Sequence, residues 1–348
     1  MQKFVLATRI CSGDGALDEL VARSDKRVLL VTDRFFVENG TAAVIAAKCV
    51  NAEVKIFDEV QPDPPLALVA KGVAVVSEFR PNAVIALGGG SAIDCAKGIV
   101  AMSETDADLI AIPTTSGTGS EVTAFAVLSH ESVKHPLIAP ALRPKLAILD
   151  DSLLQELPPT LIADAGMDIA AHCLEALASK NATPLTDAMA LHSLKTVLEK
   201  LPSSYRGDKR VRGEIHCAAT MAGIAFDNAG LGLCHAVSHA LGGRFHLAHG
   251  RLNGILLPAV LRYNTEQAYR NALLSCGFAD LRALILAVER LRRSLELPST
   301  LTQAGLRRTE VLQNLDSLCA AALNDRCTET NPRTVTRDTV AAVIREVL

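Results

Sequence analysis

The alternation of short apolar runs with helical patterns over the first 150 residues most constrains the fold. The runs 27–32, 53–57, 83–87 and 109–112 are rich in Val, Ile and Leu and predict strands, and residues 66–79 predict a helix. Strands without a polar face are typical of a parallel sheet that is covered by helices on both sides. We therefore expect an α/β domain with a parallel sheet at the N-terminal end.

The pattern changes after this region from the period of strands to that of helices. Long helix-compatible stretches cover residues 158–180 and 183–200, and few strand candidates follow them. The change predicts a domain boundary near 150–158. We expect an α/β domain over residues 1–155 and an all-α domain over residues 156–348.

The composition excludes several classes of protein. Apolar types make up 49% of the 348 residues, which suffices for large cores and excludes global disorder. The 35 basic residues are balanced by 38 acidic ones, with a net charge of −3, so we expect no nucleic-acid partner. No apolar run approaches the ~18–20 residues of a membrane-spanning helix, so we expect no membrane partner. The nine cysteines form no C-x-x-C pair, which indicates reduced thiols in a cytoplasmic protein.

A glycine-rich turn follows the third predicted strand and precedes a helical pattern. Gly88-Gly89-Gly90 would let a ligand approach the backbone closely, and the N-terminus of the following helix suits a pyrophosphate. The segment is not the G-x-G-x-x-G fingerprint, and an ordinary strand-to-helix turn is the alternative. Ser91 and Asp94 have the spacing of a capping box, in which the serine would serve the helix itself.

Two further polar features follow predicted strands. Residues 113–121 combine Thr, Ser and Gly in a loop that suits a ribose, a phosphate or an amide, the alternative being a solvated loop. Asp33 follows the first predicted strand. Its carboxylate could accept hydrogen bonds from an adenosine ribose and repel a 2′-phosphate, whereas a plain turn or helix cap is the alternative.

Histidine and aspartate cluster in the second half of the chain. Asp168 and His172 are four residues apart in an apolar helical pattern, where a buried pair needs either a metal ion or a mutual hydrogen bond. The segment 230–250 holds four of the nine histidines: His235, His239, His246 and His249. Three imidazoles and one carboxylate suit Fe²⁺ or Zn²⁺. Helical spacing favours His235 together with His239, but it does not decide which three histidines bind.

These motifs, in this order, resemble those of the iron-dependent (group III) alcohol dehydrogenases. The resemblance runs over nearly the whole chain. Within the family the chain is most similar to the 1-propanol dehydrogenases of propanediol-utilisation operons. The matching residues are Gly88 to Ser91 with Asp94 and Lys97, residues 113–123, Gly166-Met167-Asp168 with His172 and Glu175, residues 230–250, and Asn331-Pro332-Arg333.

The resemblance implies a Rossmann-like, dinucleotide-binding N-terminal domain and an all-helical, metal-binding C-terminal domain. It implies that the metal ligands are Asp168, His172, His235 and His249. His239 is then a catalytic residue close to the substrate rather than a ligand. This implication replaces the pairing of His235 with His239 as ligands that helical spacing favours. The implied NAD contacts are Asp33, Gly89, Gly90, Ser91, Asp94, Thr114, Thr115, Thr118 and Lys134.

The implied reaction is reversible hydride transfer between NAD(H) and small aliphatic aldehydes and primary alcohols, such as propanal and 1-propanol. Fe²⁺, or Zn²⁺ as a substitute, would act as a Lewis acid, and His239 or a water that it orients would supply the proton. The family also implies a homodimer, and by analogy a bacterial microcompartment with an aldehyde dehydrogenase or shell partner. Three alternatives remain: a zinc-dependent polyol dehydrogenase, a dehydroquinate synthase-like lyase, and a non-catalytic microcompartment scaffold.

Overall fold

The computed structural model describes residues 3–130 and 133–348, without the side chains of Val133 and Lys134. The chain divides into two compact units, Leu6–Glu156 and Leu157–Leu348, and the second unit includes the N-terminal segment up to Val5. The first unit is α/β and the second is helical, which confirms the predicted fold class. The predicted NAD contact of Lys134 lies outside the described side chains.

Six parallel strands form the sheet of the first unit in the order β1-β8-β5-β4-β2-β3, and β6 pairs with β7 in an antiparallel hairpin. The four predicted strands are confirmed as β2 to β5, whereas β1, β8 and the hairpin were not predicted. The edge strand β1 is only four residues long and has no continuous apolar run. The strands are β1 (Arg9–Ser12), β2 (Arg27–Val31), β3 (Glu53–Phe57), β4 (Ala83–Gly88), β5 (Asp108–Pro113), β6 (Phe125–His130), β7 (Val133–Ile138) and β8 (Leu146–Leu149).

Both faces of the sheet are buried at its inner strands, which explains why β4, β5 and β8 read as continuous apolar runs. Leu29 and Val84 point to one face and pack in the same cluster as residues of the third and fourth helices, whereas Leu30 and Ile85 pack on the opposite face. The helix predicted over residues 66–79 is confirmed. The helices of this unit are α1 (Arg34–Glu38), α2 (Thr41–Lys48), α3 (Leu66–Phe79) and α4 (Gly90–Met102).

The second unit contains eleven α-helices, and its described residues include no strand. Nowhere in the described parts of the chain is a single helix long and apolar enough to cross a membrane; two bent pairs, Lys209–Ala229 with Leu233–Phe245 and Glu266–Cys276 with Leu281–Ser294, meet the test by length and composition only. The helices are α5 (Pro159–Ala178), α6 (Pro184–Tyr205), α7 (Arg212–Ala229), α8 (Leu233–Phe245), α9 (His249–Tyr263), α10 (Arg270–Cys276), α11 (Leu281–Ser294), α12 (Arg308–Gln313), α13 (Leu315–Asn324), α14 (Cys327–Thr330) and α15 (Arg337–Glu346).

Helix α5 is the centre of this unit. Nearly all of its side chains from Ile162 to Ala178 are buried, and it packs against α6, α7 and α9. The N-terminal end of α9 approaches α5 closely at Gly250, where an added Cβ atom would lie 1.9 Å from the Asp164 backbone oxygen. Glycine therefore brings the first turn of α9 directly onto α5.

We predict that Gly250→Ala lowers the melting temperature by about 5 °C, because the added methyl group overlaps backbone that cannot move away freely. Gly243→Ala is the matched control. A Cβ atom there meets nothing within 4 Å, and alanine is favoured over glycine inside a helix by about 0.5–1 kcal/mol. Thermal unfolding followed by circular dichroism measures both variants. Equal melting temperatures for Gly250→Ala and the wild type would contradict the packing argument.

Candidate functional site

Three helices bring one carboxylate and three imidazoles together. Asp168 and His172 lie on α5, His235 lies on α8, and His249 is the first residue of α9. The Nε2 atoms of His172, His235 and His249 lie 3.7, 3.6 and 3.4 Å from Asp168 Oδ1. Donor atoms about 2.0–2.2 Å from a tetrahedral ion lie about 3.4 Å apart, so this donor set fits a divalent transition-metal ion.

The four side chains are not equivalent. The candidate donor atoms of Asp168, His235 and His249 all lie within 4.8 Å of one another, in a group that does not include His172. The His172 ring is stacked between those of Phe226 and His235, at centroid distances of 4.4 and 4.7 Å. Its Nδ1 atom is buried and has no hydrogen-bond partner among the described atoms. Packing, rather than a hydrogen bond, therefore orients this ring.

Glu175 supports His235 from the side away from Asp168. Its Oε2 atom lies 2.7 Å from His235 Nδ1. The same carboxylate accepts hydrogen bonds from the backbone N–H groups of Gly232 and Cys234, at 2.9 and 2.6 Å. These N–H groups begin helix α8 and would otherwise lack acceptors. One buried side chain thus caps α8. It also contacts Nδ1 of His235, which orients the ring so that Nε2 is directed at Asp168.

The electrostatics of the cluster reflect burial and mutual pairing. Burial raises the pKa of Asp168, but the neighbouring histidines outweigh it and hold the pKa well below its usual value. Burial lowers the pKa of His172 to about 4, against the opposing effect of Asp168. Burial also lowers the pKa of His235, but hydrogen bonds to Asp168 and Glu175 outweigh it and raise that pKa to about 9. A carboxylate that stays ionised in an apolar core suits a cation.

His239 pairs with a carboxylate other than Asp168. Its Nδ1 atom lies 2.7 Å from Asp325 Oδ2, and its ring is stacked on that of His249 at 5.1 Å. The side chains of His239 and His249 are 25% and 33% exposed, whereas His235 is 1% exposed, so the cluster is accessible from the side of these two rings. His246, the remaining histidine of the segment, is exposed and ends α8 in a left-handed conformation.

Three residues that contact the candidate ligands or His239 were not predicted from the sequence. Asn253 Nδ2 donates a hydrogen bond to Asp168 Oδ1 at 2.7 Å, Ser238 Oγ lies 3.1 Å from His249 Nδ1, and Asp325 orients His239. Asn253 follows His249 by four residues and precedes an apolar stretch of the same helix, which is a signal that could have been used. Asp325 lies 86 residues from its partner, and no local pattern connects the two.

In the first unit, the glycine-rich turn and the threonine-containing loop lie against each other. An added Cβ atom at Gly89 would lie 3.1 Å from Thr115 Oγ1, and one at Gly90 would lie 2.9 Å from Thr118 Cγ2. Thr114 is buried and its N–H group donates to the Gly88 oxygen at 3.0 Å. The two loops thus form one surface at the carboxyl ends of β4 and β5, beside the N-terminus of α4.

Asp94, near this surface, has structural partners. The capping-box prediction for Ser91 and Asp94 is wrong, because α4 is preceded by Gly89 and has no side-chain cap. Asp94 instead accepts hydrogen bonds from Ser120 Oγ at 2.6 Å and from the Val127 N–H group at 2.9 Å. Its carboxylate therefore anchors the loop and the hairpin that follows it.

Asp33 and Lys97 also take part in the local structure. Asp33 caps α1, accepting a hydrogen bond from the Phe36 N–H group at 3.3 Å, and burial raises its pKa. Lys97 is fully buried, and its ammonium group donates to the backbone oxygens of Thr123, at 2.9 Å, and Phe125. It thus holds the segment after the threonine-containing loop in place.

We predict that Glu175→Ala lowers the melting temperature by about 5–10 °C and weakens metal binding at least tenfold. The substitution leaves buried N–H groups without an acceptor and frees the His235 ring, at a cost of about 3 kcal/mol. Glu175→Gln keeps one acceptor oxygen and should have a smaller effect. Glu214→Ala, which removes an exposed ion pair with Lys200, is the control and should stay within about 0.5 kcal/mol of the wild type. An unchanged melting temperature for Glu175→Ala would argue against its capping role.

The chain was compared with known proteins. Residues 7–151 match the iron-containing alcohol dehydrogenase family, and residues 162–348 match the C-terminal part of the Fe-containing alcohol dehydrogenase family. The 1-propanol dehydrogenase PduQ of Salmonella typhimurium is 38% identical over 370 residues, covering 100% of both chains. The NADPH-dependent butanol dehydrogenase of Clostridium saccharobutylicum is 34% identical, covering 97% of this chain and 96% of that one.

Solved structures show the same fold over the whole chain. An iron-containing alcohol dehydrogenase from Thermococcus thioreducens superposes with a TM-score of 0.93 at 30% identity, covering 99% of each chain. Sulfoacetaldehyde reductase from Bifidobacterium kashiwanohense, solved in complex with NAD⁺, superposes with a TM-score of 0.89 at 25% identity, covering 100% of this chain and 98% of that one. Sequence and structure agree, and the chain belongs to the iron-containing alcohol dehydrogenase family.

Proposed function

We propose that this protein is an NAD(H)-dependent, Fe²⁺-dependent alcohol dehydrogenase that interconverts small aliphatic aldehydes and primary alcohols, with aldehyde reduction as its main direction. The convergence of three imidazole Nε2 atoms on Asp168 Oδ1, at 3.4–3.7 Å, carries the proposal. The donor set of one carboxylate and three imidazoles suits Fe²⁺, and Zn²⁺ as a substitute.

The two units would bind different components of the reaction. Asp168, His172, His235 and His249 would hold the ion. The NAD pyrophosphate would bind at the N-terminus of α4, on the surface formed by Gly89, Gly90, Ser91, Thr115 and Thr118. Buried Thr114 would support this surface through its hydrogen bond to the Gly88 oxygen. Asp33, at the end of β2, would accept hydrogen bonds from the adenosine ribose. Lys134 is proposed to contact NAD on the family resemblance alone, and Asp94 would act through the loop that it anchors.

The residues around the ion would orient the substrate and deliver a proton. An ion held by these residues would supply Lewis-acid chemistry to the substrate oxygen. Because Asp325 accepts a hydrogen bond from His239 Nδ1, the Nε2 atom of His239 is the one left to exchange a proton with substrate or water. His239 is partly exposed and stacked on His249, so its ring is accessible beside the ligands. Asp325 is then a positioning residue for His239.

The relatives support the substrate class but differ in the cofactor that their names state. One is named a 1-propanol dehydrogenase, and the solved reductase contains NAD⁺, whereas the butanol dehydrogenase is NADPH-dependent. The carboxylate of Asp33 supports NAD over NADP, because a 2′-phosphate would lie close to a negative charge. The family resemblance further supports a homodimer in the cytoplasm or in a bacterial microcompartment, with an aldehyde dehydrogenase or the shell as a partner.

We predict that His235→Ala and His249→Ala each lose the bound metal and at least 100-fold in turnover, because each removes one ligand. His239→Ala should keep the metal and lower turnover about 10²–10⁴-fold, as expected for loss of a proton donor. His246→Ala, an exposed residue outside the cluster, is the control and should resemble the wild type. Elemental analysis and NADH oxidation with propanal, under anaerobic conditions with and without Fe²⁺, measure both properties. A metal-free variant with full turnover would refute the role of the ion.

We predict that Asp33→Gly and Asp33→Ser both reduce the preference for NAD over NADP about tenfold or more, since each removes the negative charge. Serine keeps an oxygen that can cap α1, so the pair of variants separates the effect of charge from that of the helix cap. The ratio of kcat/KM values for NADH and NADPH is the measurement. An unchanged ratio in both variants would count against a ribose contact.

A further inference from the structure

Asn253 lies among the proposed metal ligands and is not one of them. Its side chain is completely buried on α9, one helical turn after His249. The Nδ2 atom donates to Asp168 Oδ1 at 2.7 Å and lies 3.2 Å from the Nε2 atoms of both His235 and His249. A single amide group therefore contacts three of the four atoms proposed to bind the ion.

The contacts on its other side fix the orientation of this amide. The Cys234 thiol lies 3.6 Å from Asn253 Oδ1, within the range of a hydrogen bond from sulfur to oxygen. Because a carboxylate oxygen accepts and does not donate, the amide nitrogen must face Asp168. The amide is thus held with its N–H groups directed at the cluster.

The contact with His249 has a consequence for metal binding. The amide nitrogen carries two hydrogens, so after donating one to Asp168 it can donate the other to a single imidazole. A neutral imidazole has one nitrogen with a lone pair. Nδ1 of His249 lies 3.1 Å from Ser238 Oγ, and this hydroxyl donates to the His249 backbone oxygen at 3.4 Å, so it can accept a hydrogen bond from Nδ1 and leave the lone pair on Nε2. The lone pair on Nε2 can accept from the amide or bind an ion, but it cannot do both. The Asp168 oxygen has more than one lone pair, so its contact with Asn253 is compatible with an ion.

We propose that Asn253 is a positioning residue that holds the ligand set together and competes with the ion for the imidazole lone pair of His249. Asn253 would keep the ligands assembled when the ion leaves. It would also lower the affinity of the site for the ion, because the hydrogen bond to the imidazole must break when the ion binds. This inference rests on the proposed metal site and adds to it a residue that weakens metal binding while it preserves the geometry of the site.

The test uses the full-length wild type, Asn253→Ala and a matched control, Asn264→Ala. Asn264 is equally a buried amide of the helical unit, but it contacts Tyr269 and Asn331 rather than any proposed ligand. Each protein is stripped with a chelator and reloaded with Zn²⁺. Melting temperatures are measured in both forms, and the Zn²⁺ dissociation constant is measured by competition with a chromophoric chelator.

We expect Asn253→Ala to lower the melting temperature of the stripped protein more than that of the loaded protein. Its Zn²⁺ dissociation constant should fall about fivefold, the factor that corresponds to one lost hydrogen bond of about 1 kcal/mol. Asn264→Ala should lower both melting temperatures equally and leave the dissociation constant unchanged. Equal losses in both forms for Asn253→Ala, or an unchanged or weaker affinity, would overturn the inference.

A second variant covers the case in which the alanine protein does not fold. Asn253→Asp keeps the shape of the side chain but replaces the donor with a carboxylate beside Asp168. Repulsion between the two carboxylates should destabilise the stripped protein. The Zn²⁺ affinity should rise, and this rise should exceed that of the alanine variant if both proteins fold. A weaker affinity in Asn253→Asp would overturn the inference. If the wild type itself binds no Zn²⁺ through these ligands, the proposed function fails, and that result is distinct from a failure of Asn253 alone.

Discussion

The second unit depends on how it accommodates one ionised carboxylate in an apolar core. Asp168 is 4% exposed at the centre of α5, the helix around which the unit packs. Burying a charge without compensation is expensive, so the surrounding residues have to supply positive charge and hydrogen-bond donors. The Asn253 amide donates to Asp168 Oδ1 at 2.7 Å, and His235, whose pKa is raised to about 9, supplies positive charge 3.6 Å from the same oxygen. This requirement fixes how α5, α8 and α9 meet, since each of them contributes a side chain that faces the same oxygen.

The residues that position the candidate ligands are as important for the geometry of the site as the candidate ligands themselves. Glu175 accepts hydrogen bonds from the first N–H groups of α8 and contacts Nδ1 of His235, so the start of a helix and the direction of a candidate ligand depend on one side chain. Gly250 lets the first turn of α9 approach the backbone of α5, which brings His249 to Asp168. Structural stability and the geometry of the candidate metal centre are therefore coupled in this unit, because the same contacts serve both.

The candidate binding surface of the first unit depends on where its parallel strands end. Its polar residues gather at the carboxyl ends of β4 and β5, where parallel strands end and helices begin. Gly89 and Gly90 lack the side chains that would separate the turn from Thr115 and Thr118. Asp94 and Lys97, on α4, are engaged in holding the surrounding loop and hairpin through hydrogen bonds. The surface at these strand ends thus consists of backbone and hydroxyl groups, and the charged side chains of α4 anchor the segments around it.

The sequence determined the fold class, because apolar runs with two buried faces and helical periodicity are local patterns. The strands β2 to β5 and the helix α3 were predicted. The edge strand β1 has no continuous apolar run, whereas β8 was missed although its apolar run is as long as residues 109–112. The histidine-rich segment was also visible in the sequence, but spacing paired His235 with His239. Only the tertiary structure directed His239 to Asp325 and brought Asn253 among the candidate ligands. The physical reason is that hydrogen-bond partners 85 or 86 residues apart meet through helix packing, which no local pattern specifies.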